Sequence, residues 1–234
     1  MWIKICGITS LEDAKAAVDA ETDAVGFVFA SSPRRVTPEI VREITRALPS
    51  SVEKIGVFVD ASADEIVATF ETAGLTGVQL HGEYSPGHLS KFRMRMKKNL
   101  RPARVVRVVS YDGDSAGFAR RLQSLAALPV IHDDPTVVLV DTRVDDKVGG
   151  TGIPFDWSAA QVAFHQYSAN LRLIAAGGLR PENVRLAVQT MQPWGVDVCS
   201  GVESVPGRKD HQRVKQFIRA SRAAANEFAE ATQR

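Results

Sequence analysis

Val137-Val138-Leu139-Val140, followed by Asp141, is the stretch that decides the fold. These apolar, mostly β-branched residues do not alternate with polar ones, so both faces of the strand that they predict must be buried. Strands buried on both faces are typical of parallel sheets covered by helices. The stretch therefore predicts a parallel α/β architecture with a carboxylate at the end of one strand.

Similar strand candidates recur along the chain, each followed by an amphipathic helical pattern. Thr37 before Pro38 and the capping box that starts at Ser62 mark two of the helix starts. Strands that alternate with helices predict a parallel sheet with helices outside it. The predicted strands are Trp2–Cys6, Ala24–Phe29, Lys54–Val59, Gly77–Leu80, Arg104–Val109, Val137–Asp141, Leu171–Ala175 and Val196–Cys199. The other predicted helices begin near Glu12, Ser85-Pro86, Ala116, Asp156, Arg180-Pro181 and Asp210.

Eight such units in 234 residues predict a single (β/α)8 TIM barrel over residues 1–234. The alternative is a doubly wound open sheet. Against it, no G-x-G-x-x-G follows the first strand, and no P-loop occurs in the sequence. No linker that would separate two domains is found, and the pattern is weakest over residues 99–135.

Composition argues against a nucleic-acid-binding protein, a membrane protein and a disulfide-rich protein. The chain has 29 Lys and Arg against 27 Asp and Glu, which leaves no domain-wide basic field for nucleic acid. No apolar stretch reaches the 18 residues of a membrane helix, and the N-terminus lacks the features of a signal peptide. Two cysteines make no disulfide framework, so we expect a cytoplasmic protein with free thiols. A monomer or a homodimer is expected, and the sequence does not distinguish the two.

In a barrel of this kind the working residues lie at the carboxyl ends of the strands. Cys6 closes the first predicted strand and Asp141 closes the sixth. A thiol and a carboxylate on opposite sides of the mouth could act as base and acid across a small substrate. The ordinary pKa of a cysteine is about 8.5, so it has to fall by only about one to two pH units for the thiol to act as a base near neutrality. The alternatives are a small buried apolar role for Cys6 and a capping or ion-pairing role for Asp141.

Two glycine-rich loops follow the last two strands. Barrel enzymes often bind phosphate there, because glycine lets backbone N–H groups approach an anion closely. Gly177-Gly178 and Ser200-Gly201 have that composition on consecutive units, and Gly149–Gly152 could close over the same ligand. The alternative is that these glycines only make tight turns.

The remaining candidates are basic or aromatic. Arg34 could hold a carboxylate by its planar fork or be a solvated loop charge, and Arg35 is the other candidate for that role. For His81, packing or hydrogen bonding is favoured over catalysis. No metal site is expected, because no partner residues at ligand spacing accompany His132, His165 and His211.

These segments together resemble the phosphoribosylanthranilate isomerase family of tryptophan biosynthesis over nearly the whole chain. The opening Lys4-Ile5-Cys6-Gly7 and the closing Ser200-Gly201-Val202-Glu203 are specific to that resemblance. Further matching segments are Ala24–Phe29, Ser32-Pro33-Arg34, Gly56–Val59, Val78–Gly82, Leu139–Thr142, Gly149–Gly152, Phe155-Asp156-Trp157, Ala176–Leu179, Pro181–Val184 and Val196-Asp197-Val198.

The resemblance implies a (β/α)8 barrel and an Amadori rearrangement of N-(5-phosphoribosyl)anthranilate to 1-(2-carboxyphenylamino)-1-deoxyribulose 5-phosphate. It makes Asp141 the general acid, Cys6 the general base and Arg34 the contact to the anthranilate. His81 and Asp197 are expected at the same mouth, and the phosphate is expected on Gly177, Gly178, Ser200 and Gly201. No cofactor is expected, since the iminium nitrogen is itself the electron sink. Cys199 departs from the family pattern, in which a serine is more usual.

Three rival functions use part of the same pattern. The histidine-pathway sugar isomerase performs the same chemistry, but that family has an aspartate where this chain has Cys6. A silent phosphate-binding barrel would need neither Cys6 nor Asp141. A cysteine hydrolase would need a histidine and a third orienting group, and only His81 lies near Cys6 among the strand ends.

Overall fold

Eight parallel strands close into a barrel in chain order, and β8 pairs with β1 to complete it. The computed structural model describes residues 1–82, 94, 103–111, 114–127, 136–141, 161–162, 165–167 and 170–232. All eight predicted strands are confirmed, with ends that move by one residue at most. The strands are β1 Trp2–Ile5, β2 Ala24–Val28, β3 Glu53–Val59, β4 Gly77–His81, β5 Arg104–Ser110, β6 Thr136–Asp141, β7 Leu171–Ala176 and β8 Gly195–Val198.

Six helices are described outside this barrel, and side chains at their ends explain where most of them begin. Ser10 and Thr37 accept hydrogen bonds from backbone N–H groups of the helices that follow them. The capping box at Ser62 is confirmed, and Gly74 ends that helix in the left-handed conformation, with φ at 68°. The helices are α1 Leu11–Asp19, α2 Pro38–Arg46, α3 Ala63–Ala73, α4 Ser115–Ala126, α5 Val184–Met191 and α6 His211–Thr232.

One predicted helix start is wrong by several residues. The Arg180-Pro181 pair does not open α5, because the next residues form a turn in which Arg180 N donates to Asn183 Oδ1 at 2.8 Å. The helix begins at Val184 instead. The predicted helix start at Ser85-Pro86 and most of the helix predicted from Asp156 lie outside the described residues.

Side chains alternate between the two faces of each strand, so the buried ones pack into two separate cores. Ile3 and Ile5 face outward and pack in the layer between strands and helices. Trp2 faces the barrel axis, where it meets Leu139 and other inward residues from most of the strands. Because side chains alternate along a strand, Cys6 shares the inward face with Trp2, and Asp141 shares it with Leu139.

An antiparallel hairpin follows β8, and the sequence pattern did not predict it. Its strands are β9 Glu203–Val205 and β10 Arg208–Lys209, and β9 follows a single 3₁₀ turn at Ser200–Val202. In the chain, the hairpin lies between β8 and α6. It brings Glu203 and Lys209 to the rim beside β1, where Lys209 Nζ would lie 3.5 Å from a Cβ on Gly7. Within the described ranges, no helix is both long and apolar enough to cross a membrane.

Candidate active site

A buried lysine lies directly below the first predicted catalytic residue. Lys4 is inaccessible to solvent, and its ammonium donates to Gln79 Oε1 and to Asp197 Oδ1, both at 2.8 Å. Burial alone would lower the pKa of Lys4, but the Asp197 carboxylate and Cys6 outweigh it and raise that pKa. The ammonium therefore stays charged inside the barrel, one layer below the rim.

Gly26 makes room for this arrangement. A Cβ on Gly26 would lie 2.8 Å from the Cys6 sulfur and 2.9 Å from Lys4 Cε, so both side chains pass over this glycine. Lys4 and Cys6 also shift each other's pKa in the direction expected for an ammonium beside a thiolate. A positive charge is thus fixed beneath the thiol, where it favours the thiolate.

The same network orients His81 at the end of β4. An ammonium group can only donate, so Lys4 fixes the carbonyl oxygen of Gln79 on its own side. The amide nitrogen of Gln79 then faces His81 Nε2, 2.8 Å away. His81 must accept that hydrogen bond, which places its ring proton on Nδ1.

Cys6 meets the second cysteine of the chain at the rim. The hydrogen bond from Cys199, aided by the charges of Lys4 and Lys209, outweighs burial and lowers the pKa of Cys6 to about 7. The same hydrogen bond, together with burial, raises the pKa of Cys199. Cys6 is therefore the thiol that ionises near neutrality, and Cys199 is the thiol that stays protonated.

Arg34 reaches the same rim from the loop after β2. Its Nε and Nη2 donate to the two oxygens of Glu203 at 2.8 and 2.6 Å, which is a bidentate ion pair. Lys209 adds a third donor to Glu203 at 2.9 Å. Burial would raise the pKa of Glu203, but the hydrogen bonds from Arg34 and the charge of Lys209 hold it below its usual range. Arg35, by contrast, is exposed.

The two glycine loops after β7 and β8 touch one another. Gly177 and Gly178 have φ values of 86° and 62°, a backbone region that favours glycine. A Cβ on Gly201 would collide with the carbonyl oxygen of Leu179, so the second loop packs closely against the first. Ser200 and Gly178 are exposed at this junction. The arrangement can present backbone N–H groups from two loops to one anion.

Asp141 closes β6 on the inward face of the barrel. Its backbone oxygen accepts from Tyr111 N at 2.9 Å, and the residue is half-buried at the same end of the barrel as Cys6. β6 is separated from β1 by β7 and β8. The two predicted acid–base groups therefore stand on the same rim with two strands between them. Gly149–Gly152 lies outside the described residues.

Sequence reasoning gave no role to four residues that shape this site: Lys4, Gln79, Glu203 and Lys209. A lysine inside the apolar strand Trp2–Ile5 was the one available signal, because buried lysines are rare unless paired. The partners of these residues come from distant parts of the chain and could not be read from local spacing. In the described part of the chain, no cluster of three His, Cys, Asp or Glu side chains suited to a metal is present.

Comparison with known proteins gives one consistent family. The model of the family described as N-(5′-phosphoribosyl)anthranilate (PRA) isomerase matches residues 3–220. A relative from Geobacter sp. strain M21, named N-(5′-phosphoribosyl)anthranilate isomerase, is 43% identical over 92% of this chain and 95% of its own length.

Solved structures agree with that result. A phosphoribosylanthranilate isomerase in complex with reduced 1-(o-carboxyphenylamino)-1-deoxyribulose 5-phosphate superposes with a TM-score of 0.77 at 36% identity, covering 95% of this chain and 99% of that one. Monomers generated from the dimeric Thermotoga maritima isomerase superpose with a TM-score of 0.76 at 34% identity, with the same coverage.

Proposed function

The chain belongs to the N-(5′-phosphoribosyl)anthranilate isomerase family of tryptophan biosynthesis, and from that premise we propose how its residues rearrange the substrate. The reaction converts N-(5′-phosphoribosyl)anthranilate to 1-(2-carboxyphenylamino)-1-deoxyribulose 5-phosphate. The observation that carries the proposal is the placement of Cys6, above the buried Lys4 ammonium, on the barrel rim that also holds Asp141. A pKa of Cys6 lowered to about 7 agrees with that placement.

Asp141 acts as the general acid. The substrate is a cyclic hemiaminal ether, and its ring opens when the ring oxygen receives a proton from Asp141. The C1′–O bond then breaks as the nitrogen lone pair moves in to form an iminium. A carboxyl group on the inward face of β6 is placed to deliver that proton.

Cys6 acts as the general base. Its thiolate removes the C2′ proton of the iminium, and the electrons of the C2′–H bond flow to the nitrogen. The resulting enol becomes the ketone of the product by proton transfer. A base works best when its pKa lies near the operating pH, which the contacts of Cys6 with Cys199, Lys4 and Lys209 favour. Since the substrate nitrogen accepts the electrons, we propose that no metal or organic cofactor takes part.

Two remote groups of the substrate hold the sugar in place. Glu203 occupies Nε and Nη2 of Arg34, so the donors on Nη1 are the ones that can turn to the anthranilate carboxylate. The phosphate binds at the junction of Gly177-Gly178 with Ser200-Gly201. His81 completes the mouth, and Asp197 acts from one layer below it, where it pairs with Lys4. Holding both ends of the substrate turns the acid–base steps into reactions within one complex.

The direct test is turnover of freshly made phosphoribosylanthranilate, followed as loss of its anthranilate fluorescence. The histidine-pathway sugar isomerase substrate is run beside it with the same enzyme. We expect rapid loss of fluorescence, unchanged after dialysis against a metal chelator, and no turnover of the second substrate. Turnover of the second substrate alone, or of neither, would contradict the proposal.

The free thiols of Cys6 and Cys199 support a reducing cytoplasm as the place of action. We propose that the enzyme acts as a monomer or a homodimer. Sedimentation at several protein concentrations distinguishes the two states.

A further inference from the structure

The two cysteines of this chain stand side by side on neighbouring strands. The parallel register sets Ile5 opposite Val198, and Cys6 N donates to Val198 O at 2.8 Å. The next residue on each strand is a cysteine. Neighbouring strands lie about 4.8 Å apart, and a disulfide needs about 4.4–6.8 Å between its Cα atoms. The backbone separation at this point therefore suits a disulfide.

The side chains also converge. A Cβ on Gly7 would lie only 2.7 Å from the Cys199 sulfur, so that sulfur lies against the backbone that directly follows Cys6. The absence of a Cβ at Gly7, whose φ is 74°, is what leaves room for it. Both thiols are reduced in this structure.

The surroundings of the pair favour a thiolate at one sulfur. Lys4 below Cys6 lowers the pKa of Cys6, whereas the contact with Cys6, together with burial, raises the pKa of Cys199 despite the charges of Lys209 and Arg34. A lowered pKa is a property of cysteines that react with peroxides, and Cys6, at 6% exposure, is reached only from the rim of the barrel. The charged groups that face the pair are Lys4, Asp197, Lys209, Arg34 and Glu203.

We propose that Cys6 and Cys199 form an oxidative modification site, at which hydrogen peroxide converts the two thiols to an intramolecular disulfide. The Cys6 thiolate attacks one peroxide oxygen, the O–O bond breaks, and the departing hydroxide takes up a proton to leave as water. The Cys199 thiol then attacks the sulfenic sulfur of Cys6. Its proton and the displaced hydroxide leave as a second water. In total the two sulfurs lose two electrons, and the peroxide gains them.

Cys199 acts as the resolving cysteine of this pair. Its attack consumes the sulfenic acid before a second peroxide can carry Cys6 to the irreversible sulfinic acid. A disulfide also removes the thiolate at Cys6, so the isomerase reaction stops until a thiol reductant restores it. That last consequence rests on the proposed function, whereas formation of the disulfide does not.

The test compares the full-length protein with Cys199→Ser after treatment with hydrogen peroxide. Intact mass and iodoacetamide labelling are read before and after dithiothreitol. We expect the natural chain to lose about 2 Da and both reactive thiols, and to regain both with reductant. Cys199→Ser, which keeps a hydroxyl in place of the thiol, gains about 16 and then about 32 Da on Cys6 and does not recover fully.

Two results would overturn the proposal. One is accumulation of the +32 Da product on Cys6 as fast in the natural chain as in Cys199→Ser. The other is a disulfide that links two chains instead of closing within one. Activity is measured in parallel and reports separately on the base: a chain that loses 2 Da yet turns over normally retains the modification site and contradicts the role of Cys6 in catalysis.

Discussion

Replacing Cys199 by alanine tests the electrostatics of the base directly. Contact with the Cys199 thiol is the largest cause that lowers the pKa of Cys6 from 9.0 to about 7. That lowering corresponds to roughly 3 kcal/mol in favour of the thiolate. Alanine removes the donor, while the charges of Lys4 and Lys209 remain. We therefore expect the pKa of Cys6 to rise to between about 8 and 9.

The consequence at neutral pH is large enough to measure. About half of Cys6 is thiolate at pH 7 when its pKa is about 7. In Cys199→Ala that fraction falls to about a tenth or less, so alkylation at pH 7 slows by about fivefold or more.

The assay is the pH dependence of iodoacetamide alkylation. Either substitution at Cys199 leaves Cys6 as the sole cysteine of the chain, so the measured rate belongs to one thiol. Cys199→Ser is the matched control, because its hydroxyl still donates to the thiolate and should keep the midpoint near that of the natural chain. Equal midpoints for the alanine and serine variants would refute the reasoning.

Three other outcomes follow from the described contacts. Asp141→Asn should lower kcat by about 100-fold or more with little change in the melting temperature, since an amide cannot supply the proton. Near-normal turnover in the fluorescence assay would show that Asp141 is not the general acid. For the natural enzyme, kcat/KM should rise with pH through about 7, because the thiolate of Cys6 is the active form and the pKa of Cys6 in the folded protein is lowered to that value. A pH profile that is flat from pH 6 to 8 would contradict the role of Cys6 as the base. Glu203→Gln should raise KM by about tenfold, equivalent to about 1.4 kcal/mol, and should change kcat less, because Arg34 loses its bidentate partner. A decrease confined to kcat would show that Arg34 does not bind the substrate in its ground state.

The barrel could be predicted from sequence because its signal is local. Each buried strand is a short apolar run such as Val137–Val140, and Ser62 and Thr37 mark helix starts within three residues. The end of a strand then shows which residue reaches the rim. That reasoning placed Cys6 and Asp141 at the same end of the barrel, where the structure has them.

The network around Cys6 could not be predicted in the same way, because its signal is long-range. Lys4 pairs with Asp197, which is 193 positions away along the chain, and with Gln79, 75 positions away. A lysine in a four-residue strand is equally compatible with a solvated strand edge until the barrel closes over it. Only closure between β8 and β1 brings the second cysteine to the first.

Arg34 shows a further limit of the same kind. Spacing alone left a carboxylate-binding role and a solvated loop charge equally favoured for it, with Arg35 as the other candidate for that role. The hairpin after β8 gives the two arginines different surroundings. It brings Glu203 to Arg34, 169 positions away along the chain, whereas Arg35 stays exposed. Pro206-Gly207 is a turn signal between the two strands, but β9 and β10 are only three and two residues long, which is too short for a strand pattern to predict the hairpin.

The most direct measurement of the central claim is steady-state turnover of phosphoribosylanthranilate by Cys6→Ser beside the natural chain, with a melting curve for each. A hydroxyl fills the same space but is far too weak an acid to ionise near neutrality. We expect kcat to fall by about 100-fold or more while the melting temperature stays within a few degrees. A folded Cys6→Ser enzyme that turns over at the natural rate would show that another group removes the C2′ proton.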